Sequence, residues 1–423
     1  MYTINIYYKY ILQRMNFSHD ALMKPFINAF GQCGKLSPLG KEDKKLYQSI
    51  LISLYKDIYT ANATIFKDGC FQSELITEKS QFKQPEGKES RYFPAHILKY
   101  VTANEQSQLI FTCGNVSQRE IKVIFTLFVN AAEITQKQKD YYTQYVKMMY
   151  IWLHICGQYA EQTCTESLNV FIYPTPFTKN LPTSPATIIG PEHINTAFTM
   201  ACAKNGQIII FREEEWFKVF IHETFHSYGL DFATKDHGEL KNVLRGIFPI
   251  NSDFDVYEAY TETWARIINC AFSSFNALGV DKNQTEFLSN LSFCLEIERM
   301  FALYQSIKML GFMGLRYGDI HKKENGYLYK ENTHVFAYYI MTAIFLNDQQ
   351  GFMLWCKKNN TSLLKFKSTP ESFDSFATYI TSVYDCISLL NGLAQMGTFN
   401  KRVSKGNNKE LMLTTRMSII HTI

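Results

Sequence analysis

The segment H-E-T-F-H contains His222, Glu223 and His226, so two histidines lie four residues apart and a glutamate directly follows the first. On an α-helix, residues four apart lie one turn apart on the same face, so both imidazoles can bind one metal ion. The glutamate after the first histidine then lies beside the open coordination position, where it can take a proton from a metal-activated water. The spacing predicts a zinc site at His222 and His226, with Glu223 as general base.

The residues around this motif predict the helix that it needs. Three glutamates at 213–215 begin the segment, where carboxylates complement the helix dipole. Apolar residues follow at helical spacing, at Trp216, Phe217, Phe220 and Phe225. Gly229 provides a stop just past the last turn. This context favours a metal-binding helix over a structural helix whose histidines only pack or bind water.

A β-hairpin is predicted directly before this helix. Residues 207–211 form a β-branched run, and residues 197–203 precede them across Lys204-Asn205-Gly206, whose Asn-Gly pair is a strong turn signal. A hairpin followed by an H-E-x-x-H helix is the order expected for the upper half of a zincin metallopeptidase domain.

A catalytic zinc site needs a third protein ligand. Residues 256–266 predict a second helix with Glu258 and Glu262 on one face, where two carboxylates repel each other unless positive partners are present. The pair resembles that of the gluzincins, whose first acidic residue binds zinc and whose second binds the outer nitrogen of a zinc histidine. The resemblance, which covers the two helices, implies that Glu258 is the third ligand and that Glu262 orients a histidine.

Several alternatives to this ligand set stay open at the level of sequence. The two glutamates could exchange roles, with Glu262 on the metal, or the pair could be a solvated helix face. Asp231, Asp236 and His237 are close enough in sequence to compete as ligands, although each is expected to be an ordinary loop residue.

The metzincin pattern is a partial match. It is followed through Gly229, but Phe232 stands where the third histidine or aspartate belongs, and Asp231 is one residue away from that position. We therefore reject a metzincin-type site.

The central part of the chain also resembles uncharacterised zincin-like proteins of large DNA viruses. The resemblance rests on residues 169–176 and 193–199, followed by the hairpin and the two helices. It implies a virally encoded protein that is packaged in virus particles, and it names no substrate.

Composition limits the class of protein. Apolar residues make up 46% of the 423 residues and charged residues only 19%, so the chain is not disordered. The net charge of +4 gives no electrostatic case for nucleic acid as the main partner. Ten scattered cysteines without a C-x-x-C pair, and the lack of a signal peptide or an apolar run that could span a membrane, predict an intracellular, cytoplasmic protein with reduced thiols.

The predicted fold class is α+β, a zincin-like domain with mostly helical N- and C-terminal flanking regions. The proposed boundaries are 1–135 for an N-terminal mixed region, 136–280 for the catalytic domain and 281–423 for a helical region. Strands are expected at 121–129 and 168–173, a long helix at 136–160, and loops at 68–91 and in the proline-rich stretch after Tyr173. Residues from Asn400 are expected to form a flexible tail.

These features together predict a zinc peptidase, of endopeptidase type, acting on a protein or peptide. His334, Tyr338 and Tyr339 are candidates for an oxyanion donor, and the sequence does not select among them. The main alternative is a non-catalytic zincin-fold protein with a structural or virion-associated role. A metal-free helical interaction protein and a protease acting on DNA-linked proteins are further rivals. The sequence gives neither the oligomeric state nor whether the N-terminal region covers the cleft.

Overall fold

The computed structural model describes residues 20–31, 33–34, 36–68, 71–86, 92–406 and 408–421. The predicted absence of a signal peptide concerns residues outside these ranges. The chain forms two compact units, each described here by itself. The sheet unit comprises Lys56–Lys179 and Asn195–Thr234, and the helical unit comprises Met1–Tyr55, Asn180–Ile194 and Lys235–Ile423. The predicted three-part division of the sequence stays a prediction.

Helices and strands follow one another along the chain in a mixed order. In chain order they are α1 Lys24–Asn28, α2 Lys41–Asp68, β1 Phe71–Ile76, α3 Ala95–Asn104, β2 Ser107–Val116, β3 Arg119–Leu127, α4 Gln136–Gly157, β4 Ser167–Ile172, α5 Pro191–Ile194, β5 Ala197–Thr199, β6 Asn205–Ile210, α6 Trp216–Ser227, α7 Gly238–Ile247, α8 Val256–Asn276, α9 Gln284–Phe312, a π-helix Phe336–Met341, α10 Thr342–Asn347, α11 Gln349–Asn359, α12 Pro370–Val383, α13 Ile387–Lys405 and α14 Lys409–Leu413. The α+β class predicted from the sequence is confirmed.

The sheet unit is built on one mixed sheet with the strand order β1-β2-β3-β4-β6-β5. Strand β4 pairs in parallel with β3 and β6, and the other pairs are antiparallel. Ile124, Phe171 and Ile209 lie side by side in neighbouring strands and belong to a buried cluster that includes residues of α3. The central strands are buried apolar runs because both faces of the sheet are covered.

The hairpin before the H-E-x-x-H helix is present, but its turn was predicted in the wrong place. Strands β5 and β6 pair antiparallel, with Phe198 opposite Ile209. Asn205 and Gly206 lie within β6, and the connection between the strands includes Cys202, whose φ of 51° is left-handed. The Asn-Gly signal failed because β6 begins early, at Asn205, to pair with β4.

Three further expectations from the sequence are wrong. Strand β1 lies within the segment that was expected to be a loop, because it pairs along its whole length with β2. Cys164 forms a disulfide with Cys202, whereas the sequence predicted reduced thiols throughout. The expected flexible tail from Asn400 instead continues α13 and then enters the core, where Ile419 and Ile420 are almost fully buried.

The helical unit is organised around α9, which contacts α8, α13 and the π-helix. The Arg266 guanidinium of α8 binds the Glu298 carboxylate of α9 at 2.5 Å in a fully buried ion pair. The same carboxylate accepts hydrogen bonds from the backbone of Ile419 and Ile420. In the part of the chain that the structure describes, no helix has the length and apolar character needed to cross a membrane.

Candidate metal centre

Helix α6 carries the H-E-x-x-H motif, and every one of its residues is buried. The helix begins at Trp216, so the glutamates at 213–215 precede it rather than forming its first turn. Glu215 has a left-handed φ of 59°, and its carboxylate binds the buried Lys179 ammonium at 2.5 Å. Glu214 accepts a hydrogen bond from the Lys179 backbone at 2.7 Å. These contacts fix where the helix starts.

Helix α4 packs against the motif helix. The Trp152 indole donates a hydrogen bond to the Thr224 hydroxyl at 2.5 Å, and its ring stacks on Phe225 at 5.9 Å. Thr224 in turn donates to the carbonyl of Ile221. Because Thr224 and Phe225 face α4, the side chains of His222, Glu223 and His226 face the other side of α6.

The β5–β6 hairpin holds the C-terminal end of α6. The Cys202 backbone N–H donates to the His226 carbonyl at 3.0 Å, and the Thr165 hydroxyl donates to the Ser227 carbonyl at 2.6 Å. Cys202 is also the residue that the disulfide joins to Cys164. The carbonyls that a helix end leaves open are therefore bound by neighbouring elements. Gly229 follows with a φ of 62°, which confirms the predicted stop.

The two histidines of the motif converge. Their Nε2 atoms lie 3.1 Å apart, and their ring centroids lie 4.9 Å apart at 76°. The Nδ1 atom of His226 binds the Asp231 carboxylate, which is acceptor-only when ionised, so this nitrogen carries the proton and Nε2 presents a lone pair. One cation placed where both Nε2 atoms point would satisfy both histidines.

Asp231 has a different role from the one considered in the sequence. The sequence predicts a competing metal ligand or an ordinary loop residue at this position. In the structure its Oδ2 atom binds the outer nitrogen of His226, and its Oδ1 atom accepts from the Ala233 backbone at 3.0 Å. Orientation of a metal-binding histidine by a carboxylate is the role that the gluzincin resemblance implies for Glu262. The signal in the sequence was Gly229, whose turn brings the chain back to the helix.

The other competing ligands have local partners. The Asp236 carboxylate accepts from the backbone of Gly238 at the start of α7. His237 lies 3.6 Å from Asp255, and this hydrogen-bonding partner raises the pKa of the imidazole. Phe232, at the position that a metzincin would need for a ligand, is fully buried and offers no ligand atom.

Helix α8 carries Glu258 and Glu262 one turn apart, and both are buried. The Tyr338 hydroxyl donates to Glu258 Oε2 at 3.1 Å, and His334 Nε2 lies 4.0 Å from Glu258 Oε1. Of the three oxyanion candidates, Tyr338 and His334 are therefore beside Glu258. Tyr339 donates its hydroxyl to the Thr415 carbonyl, which gives it a structural role.

The segment that carries Tyr338 is held by a residue that the sequence did not single out. Glu331 accepts hydrogen bonds from the Phe336 backbone at 2.9 Å and from the Ser252 hydroxyl at 2.5 Å. Burial raises the pKa of Glu331 to about 7. Tyr338 itself lies within the π-helix, a conformation that occurs often at functional sites.

His222 and His226 of the sheet unit and Glu258 of the helical unit each offer one ligand atom of the kind that binds a metal ion. All three residues are buried. Two imidazole nitrogens and one carboxylate oxygen are the donor set of a catalytic zinc site with three protein ligands.

Comparison with known proteins adds no relatives. No protein-family model matches the chain, and neither the curated proteins nor the solved structures include one that is significantly similar to it. The resemblance to gluzincins and to zincin-like viral proteins, and the expected intracellular location, therefore stay predictions.

Proposed function

We propose that the protein is a zinc-dependent peptidase, of endopeptidase type, in which His222, His226 and Glu258 bind the metal. The observation that carries the proposal is the 3.1 Å approach of the two histidine Nε2 atoms. Two lone pairs directed at one point repel each other unless a proton or a cation lies between them. Asp231 binds Nδ1 of His226, so its Nε2 atom is an acceptor that can bind either an N–H of His222 or a metal ion. We propose the metal ion, because the H-E-x-x-H spacing with Glu223 is that of a zinc site.

The donor set supports zinc as that cation. Nitrogen and carboxylate ligands suit Zn²⁺, and three protein ligands leave one position open for substrate and water. A bound zinc ion would polarise a peptide carbonyl and lower the pKa of a water molecule at the site.

Glu223 is the general base in this proposal. It follows His222 directly on α6 and is 7% exposed, so it is shielded from bulk water without being sealed off. Its carboxylate accepts a proton from the attacking water and then delivers it to the leaving amine. Glu262, which is fully buried, is proposed to orient a metal ligand, because a buried carboxylate needs a hydrogen-bonding partner.

Tyr338 is proposed to stabilise the oxyanion. Its hydroxyl lies beside Glu258 at 3.1 Å and can turn towards a developing negative charge once substrate is bound. His334, whose Nε2 atom lies 4.0 Å from Oε1 of the same carboxylate, is proposed as a second hydrogen-bond donor to the oxyanion.

The test combines metal content with peptide hydrolysis. Full-length protein purified without added metal is analysed for zinc and incubated with a mixed library of quenched fluorescent peptides, beside Glu223→Gln and Glu258→Ala. We expect about one zinc per chain and cleavage for the wild type. Glu223→Gln should retain zinc and lose roughly a hundredfold to ten-thousandfold in rate, and Glu258→Ala should lose zinc. A wild-type protein that binds no zinc, even after zinc is added back, would exclude the proposal.

A second function is a metal-stabilised protein without catalysis. It is favoured by the burial of the site, since His222, Glu223, His226 and Glu258 are each less than 9% exposed. A structural or virion-associated protein would bind zinc, melt at a lower temperature when zinc is removed, and cleave no peptide in either the wild type or Glu223→Gln.

A further inference from the structure

A groove with a volume of about 720 Å³ lies in the helical unit, between the C-terminal end of α9 and helix α13. Its apolar wall includes Leu310, Leu315 and Leu393, which are buried. Glycines create the space: a Cβ atom built on Gly311 or Gly397 would meet no other atom within 4 Å. The volume and the apolar lining are those of small-molecule sites.

Cationic groups line the same groove. Arg316 and Lys401 are exposed, and within the described part of the chain neither side chain forms an ion pair. The third cationic group, Lys308, is buried, and its Nζ donates to the backbone carbonyls of Leu411, at 3.0 Å, and Thr414. Burial lowers the pKa of Lys308 well below its ordinary value. An anion in the groove would offset the cost of keeping that amine charged.

We propose that this groove binds an anionic amphiphile with a long acyl chain. The chain would lie along the leucine wall, where apolar surface is removed from water, and the anionic head would lie at Arg316 and Lys401. A neutral or cationic head would leave both cations without a partner. A free fatty acid and the acyl chain of an anionic phospholipid share this chemistry, and the experiment separates them.

Binding is measured on the full-length protein with cis-parinaric acid, a fluorescent eighteen-carbon carboxylate, and by competition with palmitate and its methyl ester. We expect saturable binding of one equivalent, displacement by palmitate, and at least tenfold weaker displacement by the ester.

Flotation with phosphatidylcholine vesicles, with and without phosphatidylglycerol, shows whether the bound amphiphile is a membrane lipid or a free fatty acid. Recovery only with the anionic vesicles indicates a membrane lipid, and no recovery indicates a free fatty acid. Absence of saturable binding would overturn the proposal.

Variants that fill the groove make the test specific. Gly311→Leu and Gly397→Leu place a side chain in the open space on a helix, where glycine is a poor helix former, so both should fold and bind at least tenfold more weakly. Gly246→Leu is the matched control, because its Cβ also meets nothing within 4 Å and it lies on α7, outside the groove. Wild-type affinity in both filled variants would contradict the proposal.

Charge variants test the position of the head group. Lys401→Gln and Arg316→Gln should each weaken binding of palmitate several-fold and leave binding of its methyl ester unchanged. An equal loss for both ligands would exclude a role of these cations in recognition. Glu223→Gln should bind palmitate as the wild type does, so this inference does not depend on peptidase activity.

Discussion

Asp231 binds the outer nitrogen of His226, five residues back along the chain, through a turn that Gly229 makes with a φ of 62°. The carboxylate fixes both the tautomer and the orientation of the imidazole. Carboxylates in this position are worth roughly 10- to 100-fold in metal affinity. The residue therefore belongs structurally with the H-E-x-x-H motif, although it lies outside it.

Asp231→Asn should weaken zinc binding by about 10- to 100-fold, because the amide can hydrogen-bond to Nδ1 but brings no charge. The measurement is competition for zinc against a chromophoric chelator. Asp236→Asn is the control, since Asp236 is exposed and bonds only to the start of α7 among its described contacts. An unchanged zinc affinity in Asp231→Asn would show that the Asp231 carboxylate does not contribute to zinc binding.

Tyr338→Phe should reduce kcat by about 10- to 100-fold while zinc content stays at the wild-type level, because only the oxyanion donor is removed. Tyr339→Phe is the matched control. It removes the hydroxyl that binds the Thr415 carbonyl, so it should lower stability by about 1 kcal/mol and leave kcat unchanged. Equal kcat values for Tyr338→Phe and the wild type would remove Tyr338 from the mechanism.

Glu331 should make stability depend on pH near neutrality. Burial raises its pKa from an ordinary 4.5 to about 7 in the folded protein, so the folded state holds this proton more tightly than the unfolded state. The resulting contribution is fully present below about pH 4.5 and is lost as the pH rises through about 7.

We expect the melting temperature of the wild type to fall more between pH 6 and pH 8 than that of Glu331→Gln, which keeps the acceptor oxygen without the titration. Melting curves recorded in metal-free buffer remove the contribution of zinc binding. Parallel melting temperatures for the two proteins across this range would refute the prediction.

The Cys164–Cys202 disulfide should stabilise the sheet unit and the end of α6. It joins residues 38 apart in sequence, and Cys202 also donates its backbone N–H to the His226 carbonyl. Replacing both cysteines with alanine should lower stability by about 2–4 kcal/mol and weaken zinc binding.

Thermal melting with and without dithiothreitol provides the measurement. The wild type should lose stability in the reductant, and the double variant should be unaffected by it. Cys386→Ser, which removes a half-buried free thiol, is the control and should respond to reductant as the wild type does. A wild type that is equally stable in both buffers would argue against the disulfide.

Local patterns allowed most of the elements around the site to be predicted. The sequence predicts the helices α4, α6 and α8 and the strands β3 and β4 near their observed positions, because each depends on periodicity over neighbouring residues. The errors occurred where pairing partners distant in sequence decide the outcome. Strand β1 is polar enough to look like a loop, and the C-terminal residues become ordered by contacts with α8 and α9.

The sequence by itself determined that His222 and His226 share one face of a helix with Glu223 beside them, because a spacing of four residues fixes that geometry wherever the helix lies. It also identified Glu258 as the candidate third ligand. Only the tertiary structure decided that Asp231 supports His226, and that Tyr338 rather than Tyr339 accompanies Glu258. Adjacent residues on a helix point in different directions, and which direction meets a partner depends on how distant segments pack.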